Sequence, residues 1–125
     1  KKIHIAKEKD KKSIMVWGSG KARREFLYNE DFFDELIFLM KNYNENSHIN
    51  IGTGSDISIY ELAMMLKKII GFGGEIIWDK SKPDGMPKKL MDSSKIFNYK
   101  WKPKVDLFNG LLKTYDWYLN NKVYI

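Results

Sequence analysis

Apolar residues recur along this chain in short runs whose spacing switches between that of a strand and that of a helix. Ile3 to Lys9 predicts a short helix, and Ser13 to Trp17 an apolar strand that Gly18-Ser19-Gly20 breaks. Phe26, Leu27 and Tyr28 predict a second strand. From Asp31, the positions Phe32, Phe33, Leu36, Ile37, Leu39 and Met40 repeat at helical spacing, with Asp31, Asp34 and Glu35 favouring the positive N-terminal end of a helix that stops near Asn42. His48 to Ile51 predicts a short strand before the Gly52-Thr53-Gly54 turn.

Ile59 to Ile70 has the clearest helix signals. Ser58 and Glu61 form a capping box, Ile57 and Leu62 a hydrophobic staple, Leu62, Leu66 and Ile69 a buried stripe, and Gly71 the left-handed stop. Glu75 to Trp78 follows as a strand and Ser81 to Lys89 as a polar loop. Ser93 or Ser94 caps a short helix ending near Tyr99, and Asp106 caps a last helix with the stripe Leu107, Leu111, Tyr115 and Tyr118 or Leu119. Helices alternating with strands predict an α/β fold, or α+β packing as an isolated piece. A length of 125 residues with 43% apolar content predicts one domain spanning residues 1–125.

Charge and composition narrow the possibilities. The net charge is +6, with lysines at positions 1, 2, 7, 9, 11 and 12. Glu8 and Asp10 dilute that cluster and no aromatics interleave it, so a solvated surface is expected rather than specific nucleic-acid binding. A basic polyanion-binding module is the alternative class, with salt-sensitive, sequence-indifferent binding as its signature. There is no Cys, hence no disulfide and no thiolate nucleophile, which suits the cytoplasm. No apolar run approaches the roughly 20 residues that span a bilayer. The Lys1-Lys2 start has no initiator Met and no apolar leader, which predicts a piece of a longer protein.

Four blocks, VWGSGKARREFLYNED, HINIGTGSDISIYELA, SKPDGMPKKLMD and WKPKVDLFNGLLKTYDWYL, together resemble the C-terminal part of the GDP-L-fucose synthase branch of the extended short-chain dehydrogenase/reductase superfamily. The Lys-Pro-Asp-Gly-x-Pro-Lys-Lys loop is the most specific of them. The resemblance implies a C-terminal substrate-binding domain whose Rossmann cofactor half is missing. It also implies an intact, NADPH-dependent, homodimeric parent that epimerises and reduces GDP-4-keto-6-deoxy-D-mannose.

Within that resemblance, Arg24 matches the family's diphosphate-contacting Arg, because a guanidinium offers a planar fork of donors to phosphate. A surface Arg paired with Glu25 or Glu30 is the competing reading. Trp17, Asp84 and Lys89 match other substrate contacts; a core indole and a plain surface turn compete with them. Lys2 stands where the family often has a nucleotide-touching Arg, a departure that removes bidentate contact, and a mobile end is its expected state.

No catalytic, cofactor-binding or metal-binding residue is expected in this chain. No third glycine extends Gly52-Thr53-Gly54 into a dinucleotide turn, so NADPH belongs to the parent alone. Tyr118 to Lys122 matches Tyr-x-x-x-Lys by accident, at the end of a helix its apolar stripe already explains. His4 and His48 are too far apart in sequence, and too poor in acidic company, to signal a metal site. A GDP-linked heptose is the alternative sugar, because ring specificity is expected to reside in the missing half.

Overall fold

A computed structural model describes residues 1–121. Its elements run α1 (Lys2–Glu8), β1 (Ser13–Trp17), β2 (Arg23–Arg24), α2 (Asn29–Asn42), β3 (Ile57–Ser58), α3 (Ile59–Ile70), β4 (Glu75–Asp79), β5 (Lys88–Lys89), α4 (Ser94–Asn98) and α5 (Leu107–Asn120). β1 and β4 pair in parallel, from Ser13 opposite Glu75 to Trp17 opposite Asp79. The second sheet has the order β3-β2-β5, with β2 antiparallel to β3 and parallel to β5.

Local chemistry accounts for most of these elements. Side chains alternate across β1, so Ile14 and Val16 turn inward while Met15 and Trp17 face out. Ser58 Oγ accepts from the Glu61 N–H at 3.1 Å and the Glu61 carboxylate accepts from the Ser58 N–H at 2.9 Å, completing the capping box of α3. Gly71 ends that helix at φ 70°, and Asp106 caps α5 by accepting from the Asn109 N–H at 2.9 Å.

Two apolar clusters hold the chain together. Ile3, Ala6, Ile14, Ile70 and Phe72 gather between α1, β1 and α3, with Leu66, Ile76 and Tyr115 packed against them. Leu39, Ile96 and Trp101 form the second beneath α2 and α4, joined by Leu27, Ile49 and Ile51.

Several sequence expectations are corrected. Phe26 to Tyr28 is not a strand; the sheet residues are Arg23 and Arg24, because it is their backbone that meets β3 and β5. His48 to Ile51 is also irregular, since no described strand lies beside it; Ile49 and Ile51 pack into the second cluster instead. The buried line of α3 runs through Ala63 and Ile70 with Leu66 half-buried, shifted from the expected stripe. Neither serine's side chain caps α4; Asp92 Oδ1 accepts from the Ser94 N–H at 3.0 Å.

The largest departure is α2, which presents the opposite face from the one its apolar pattern suggests. Asp31, Glu35 and Leu39, one turn apart, face inward, whereas Phe33 is 59%, Ile37 53% and Met40 86% exposed. Asp31 is satisfied, accepting from the N–H groups of Lys104 at 3.1 Å and Val105 at 2.9 Å. Glu35 is fully buried and neither carboxyl oxygen has a partner among the described residues, so burial pushes its carboxyl from 4.5 up to about 7.

Two predictions follow from α2. The folded chain holds the Glu35 proton more tightly than the unfolded chain, so stability from this group is full below pH 4.5 and lost as pH rises through about 7. Glu35→Gln is expected to gain about 1–3 kcal/mol over the wild type at pH 8, and little below pH 4.5. Denaturant melts across that range check it; parallel pH profiles for the two proteins would refute it. Second, the outward apolar residues are expected to make the isolated chain self-associate in proportion to concentration, and Ile37→Lys with Met40→Lys to return it toward monomer. Light scattering that finds the unaltered chain monomeric throughout would contradict this.

Candidate functional site

β1 delivers Trp17 to the edge of the molecule, where its indole is 70% exposed and Lys82 Nζ lies 5.7 Å from the ring centroid. Gly18 follows at φ +84°, and a Cβ there would strike the Asp84 carboxylate. Asp84 Oδ1 accepts from the Ser19 N–H at 2.5 Å and Oδ2 from the Ser19 hydroxyl at 2.6 Å. These bonds hold the Asp84 carboxyl below the usual aspartate range, the Ser19 hydroxyl being the main cause. Asp84 thus clasps the long loop to the turn after β1.

The loop then runs along β2. The Arg23 N–H donates to the Pro87 carbonyl at 2.8 Å, and Arg23 and Arg24 stand in register with Lys88 and Lys89. The two arginines have different tasks. The Arg23 guanidinium is committed to the Asp56 carboxylate and backbone carbonyl, and Lys88 Nζ reaches the other Asp56 oxygen at 3.0 Å. Two cations on one buried carboxylate hold the Asp56 carboxyl down, Arg23 contributing most.

Arg24 uses one nitrogen internally. Its Nη1 donates to the Arg23 carbonyl at 2.7 Å and to the Met86 carbonyl at 2.8 Å, while Nε and Nη2 have no hydrogen bond among the described residues. Lys89, its register neighbour, is exposed and joins none of the ion pairs among them. Arg24 borders two open clefts. One of about 570 Å³ is lined by Arg23, Thr53, Asp56 and Lys104, and the other, of about 660 Å³, by Gly52, Met86, Lys88 and Lys89. A free fork of guanidinium donors beside an ammonium, at the lip of a concavity, can hold a phosphate or diphosphate.

The predicted residues therefore fall into two linked groups. Arg24 and Lys89 are neighbours on the mixed sheet, and Trp17 and Asp84 sit at the end of β1; the Lys82–Lys89 loop connects them. Lys2 stands apart from the Arg24–Lys89 pair. Its Nζ donates to the Met15 carbonyl, so it is tied to β1. Arg24 pairs with neither Glu25 nor Glu30.

Glu25 was not singled out by its sequence, yet it organises the neighbourhood. Its Oε1 accepts from the N–H groups of Thr53 at 2.7 Å and Gly54 at 2.8 Å, and its Oε2 from the Met91 N–H at 3.1 Å. The acid following Arg24 is the one local clue; the partners lie 28, 29 and 66 residues away. These bonds also bear on a cofactor. The Thr53 and Gly54 amides of the Gly52-Thr53-Gly54 turn, which could cradle a pyrophosphate, are taken by Glu25, so this turn does not fit a dinucleotide.

The remaining candidates have structural surroundings. His4 Nδ1 lies 3.1 Å from the Tyr115 hydroxyl, and its ring meets Tyr118 edge-on; Tyr118 stacks on Tyr115. Lys122, the other end of the Tyr-x-x-x-Lys match, lies outside the described residues. Among the described residues no group of acidic and histidine side chains could hold a metal ion, and no helix is long and apolar enough to cross a membrane.

Comparisons with known proteins agree on the relationship. The model of the NAD dependent epimerase/dehydratase family matches residues 2–52. A protein named probable GDP-L-fucose synthase 1 from Oryza sativa subsp. japonica is 49% identical over 123 residues, which cover 98% of this chain and 38% of the relative. The solved structure of a GDP-mannoheptose C4 reductase from Campylobacter jejuni, with NADP bound, superposes at TM-score 0.83 and 41% identity, covering 94% of this chain and 42% of that one. A GDP-L-fucose synthetase from Naegleria fowleri superposes at TM-score 0.89 and 29% identity, covering 97% and 37%. This chain accordingly spans well under half the length of these relatives. Over nearly all of its own length it is a homologue of proteins named GDP-L-fucose synthase, within the extended short-chain dehydrogenase/reductase superfamily.

Proposed function

We propose that this chain is the C-terminal, GDP-sugar-binding portion, residues 1–125, of an NADPH-dependent GDP-L-fucose synthase. The whole enzyme would epimerise GDP-4-keto-6-deoxy-D-mannose at C3 and C5 and reduce it at C4, acting as a homodimer in the cytoplasm. The observation that carries this reading is the Arg24 fork: Nε and Nη2 are free among the described residues, the side chain is braced on Met86, and it stands beside Lys89 at the rim of a cleft. Both groups meet the diphosphate. Trp17 offers an open indole face for the nucleotide sugar, and Asp84 holds the loop shut over Ser19 while bordering the ligand. Lys2, bonded to the Met15 carbonyl, joins the Trp17 end of the site rather than the Arg24–Lys89 pair.

This chain alone would bind GDP and catalyse nothing. The reacting groups and the NADPH site belong to the remaining length of the enzyme, which also covers the outward apolar side of α2. A second sugar, a GDP-linked heptose, is favoured by the 41% identity and TM-score of 0.83 to the mannoheptose reductase. Assay of the full-length gene product with both 4-keto sugars separates the two.

Two outcomes are expected. Calorimetry should show GDP binding that Arg24→Ala weakens about 10- to 100-fold and Arg24→Lys by less, because a point charge keeps attraction but loses the fork. Equal affinity in all three proteins would remove Arg24 from the site. The pure chain should give no NADPH oxidation with GDP-4-keto-6-deoxy-D-mannose, and measurable turnover would overturn the division of labour between the two parts.

A further inference from the structure

We propose that Glu25 is a positioning residue for the diphosphate site, setting the distance between Arg24 and the lysine-bearing strand β5 through its bonds to backbone amides. The inference rests on the GDP-binding reading above and adds a residue to it. Consecutive residues of the chain grip the same loop on either side of β5: Arg24 holds Met86, two residues before Lys88, and Glu25 holds Met91, two residues after Lys89. Between these two anchors the Lys88–Lys89 backbone has little freedom to slide along β2. The same carboxylate ties down Thr53 and Gly54, and Thr53 lines the cleft that Arg24 borders. A carboxylate that accepts from several backbone N–H groups is both well solvated by the protein and directionally fixed.

The fit around Glu25 is close. A Cβ at Gly52 would lie 2.7 Å from Glu25 Oε1, 2.9 Å from Oε2 and 2.6 Å from Ser93 Oγ, so the absence of a side chain at position 52 makes room for the carboxylate. Gly52 needs no left-handed backbone, and alanine there would displace the Glu25 head without changing its charge. Glutamine at position 25 perturbs the contact differently. Its amide retains a single oxygen, so it can serve Met91 or the Thr53–Gly54 pair but turns an N–H donor toward the other.

The test measures GDP and guanosine affinity for the wild type, Glu25→Gln and Gly52→Ala, with the amide resonances of Thr53, Gly54 and Met91 as a direct report on the anchor. The ratio of GDP to guanosine affinity isolates what the phosphates contribute. A merely structural role would lower the folded fraction and reduce both affinities alike, leaving the ratio unchanged. Positioning predicts that both variants cut the ratio by about 5- to 20-fold, with those three amides shifted, because misplacing one charge-assisted contact costs that order. Ratios within about twofold of wild type in the folded variants overturn the inference while leaving the GDP site standing. If Glu25→Gln does not fold, Gly52→Ala decides the matter by the same ratio. A wild-type chain that binds guanosine and GDP equally overturns the GDP-binding reading itself, and the role of Glu25 with it.

Discussion

The bond from Arg24 Nη1 to the Met86 carbonyl joins a segment near the start of the chain to one 62 residues later, and the candidate site depends on that junction. The loop from Lys82 to Met91 contains just two residues of strand and presents mainly exposed side chains, so apolar burial does little to order it. Fixing each of its residues costs on the order of 1 kcal/mol in backbone entropy, and a typical net hydrogen bond returns about the same. The loop therefore needs several anchors spread along its length. It has them at Asp84, Met86, Pro87 and Met91, each bonded to a residue between Ser19 and Glu25.

Neighbouring residues on a strand point to opposite sides, which is how the Arg23-Arg24 pair divides its work. Arg23 faces Asp56, a nearly buried carboxylate whose desolvation has to be met by close cations, and Lys88 supplies the second. With Glu61, 3.8 Å from Arg23 Nη1, the group has two cations and two carboxylates and is electrically balanced. Among the described residues Arg24 and Lys89, the next pair in register, have no acid set against them, so positive charge is left at the cleft rim rather than cancelled inside the fold. Substituting Arg23 or Lys88 would uncover the Asp56 carboxylate, whereas substituting Arg24 would release Met86 and substituting Lys89 would remove an exposed charge.

What could be read from the sequence was what short-range chemistry decides. The α3 helix, with its capping box and left-handed glycine, needs only residues a few positions apart, and its bounds match. The β1 and β4 strands announced themselves by short apolar runs between glycines and charges. Phe26–Tyr28 and His48–Ile51 have strand-like composition but fail because a strand is a relation between two segments, and no described partner lies beside them. Glu25 was illegible for a related reason. Its role is set by Thr53, Gly54 and Met91, and nothing in the local pattern distinguishes it from an exposed acid waiting for a nearby Arg.

The helix α2 shows why periodicity gives the element but not its orientation. Turning Asp31, Glu35 and Leu39 inward while Phe33, Ile37 and Met40 meet water forfeits apolar burial worth about 25 cal/mol per Å² and leaves the Glu35 carboxyl without a partner among the described residues. Asp31 supplies a reason for the rotation: its bonds to the Lys104 and Val105 amides hold the approach to α5, and Lys104 and Val105 line the cleft beside Arg24. Rotating the helix to hide the phenylalanines would release those amides and open the site. The arrangement is thus unfavourable for a chain that stands alone and favourable for one whose outer α2 face is covered by another apolar layer. Under the proposed function, that layer is the remaining length of the enzyme, and the same helix then serves two surfaces: its acidic line shapes the nucleotide site while its apolar line joins the two parts of the protein.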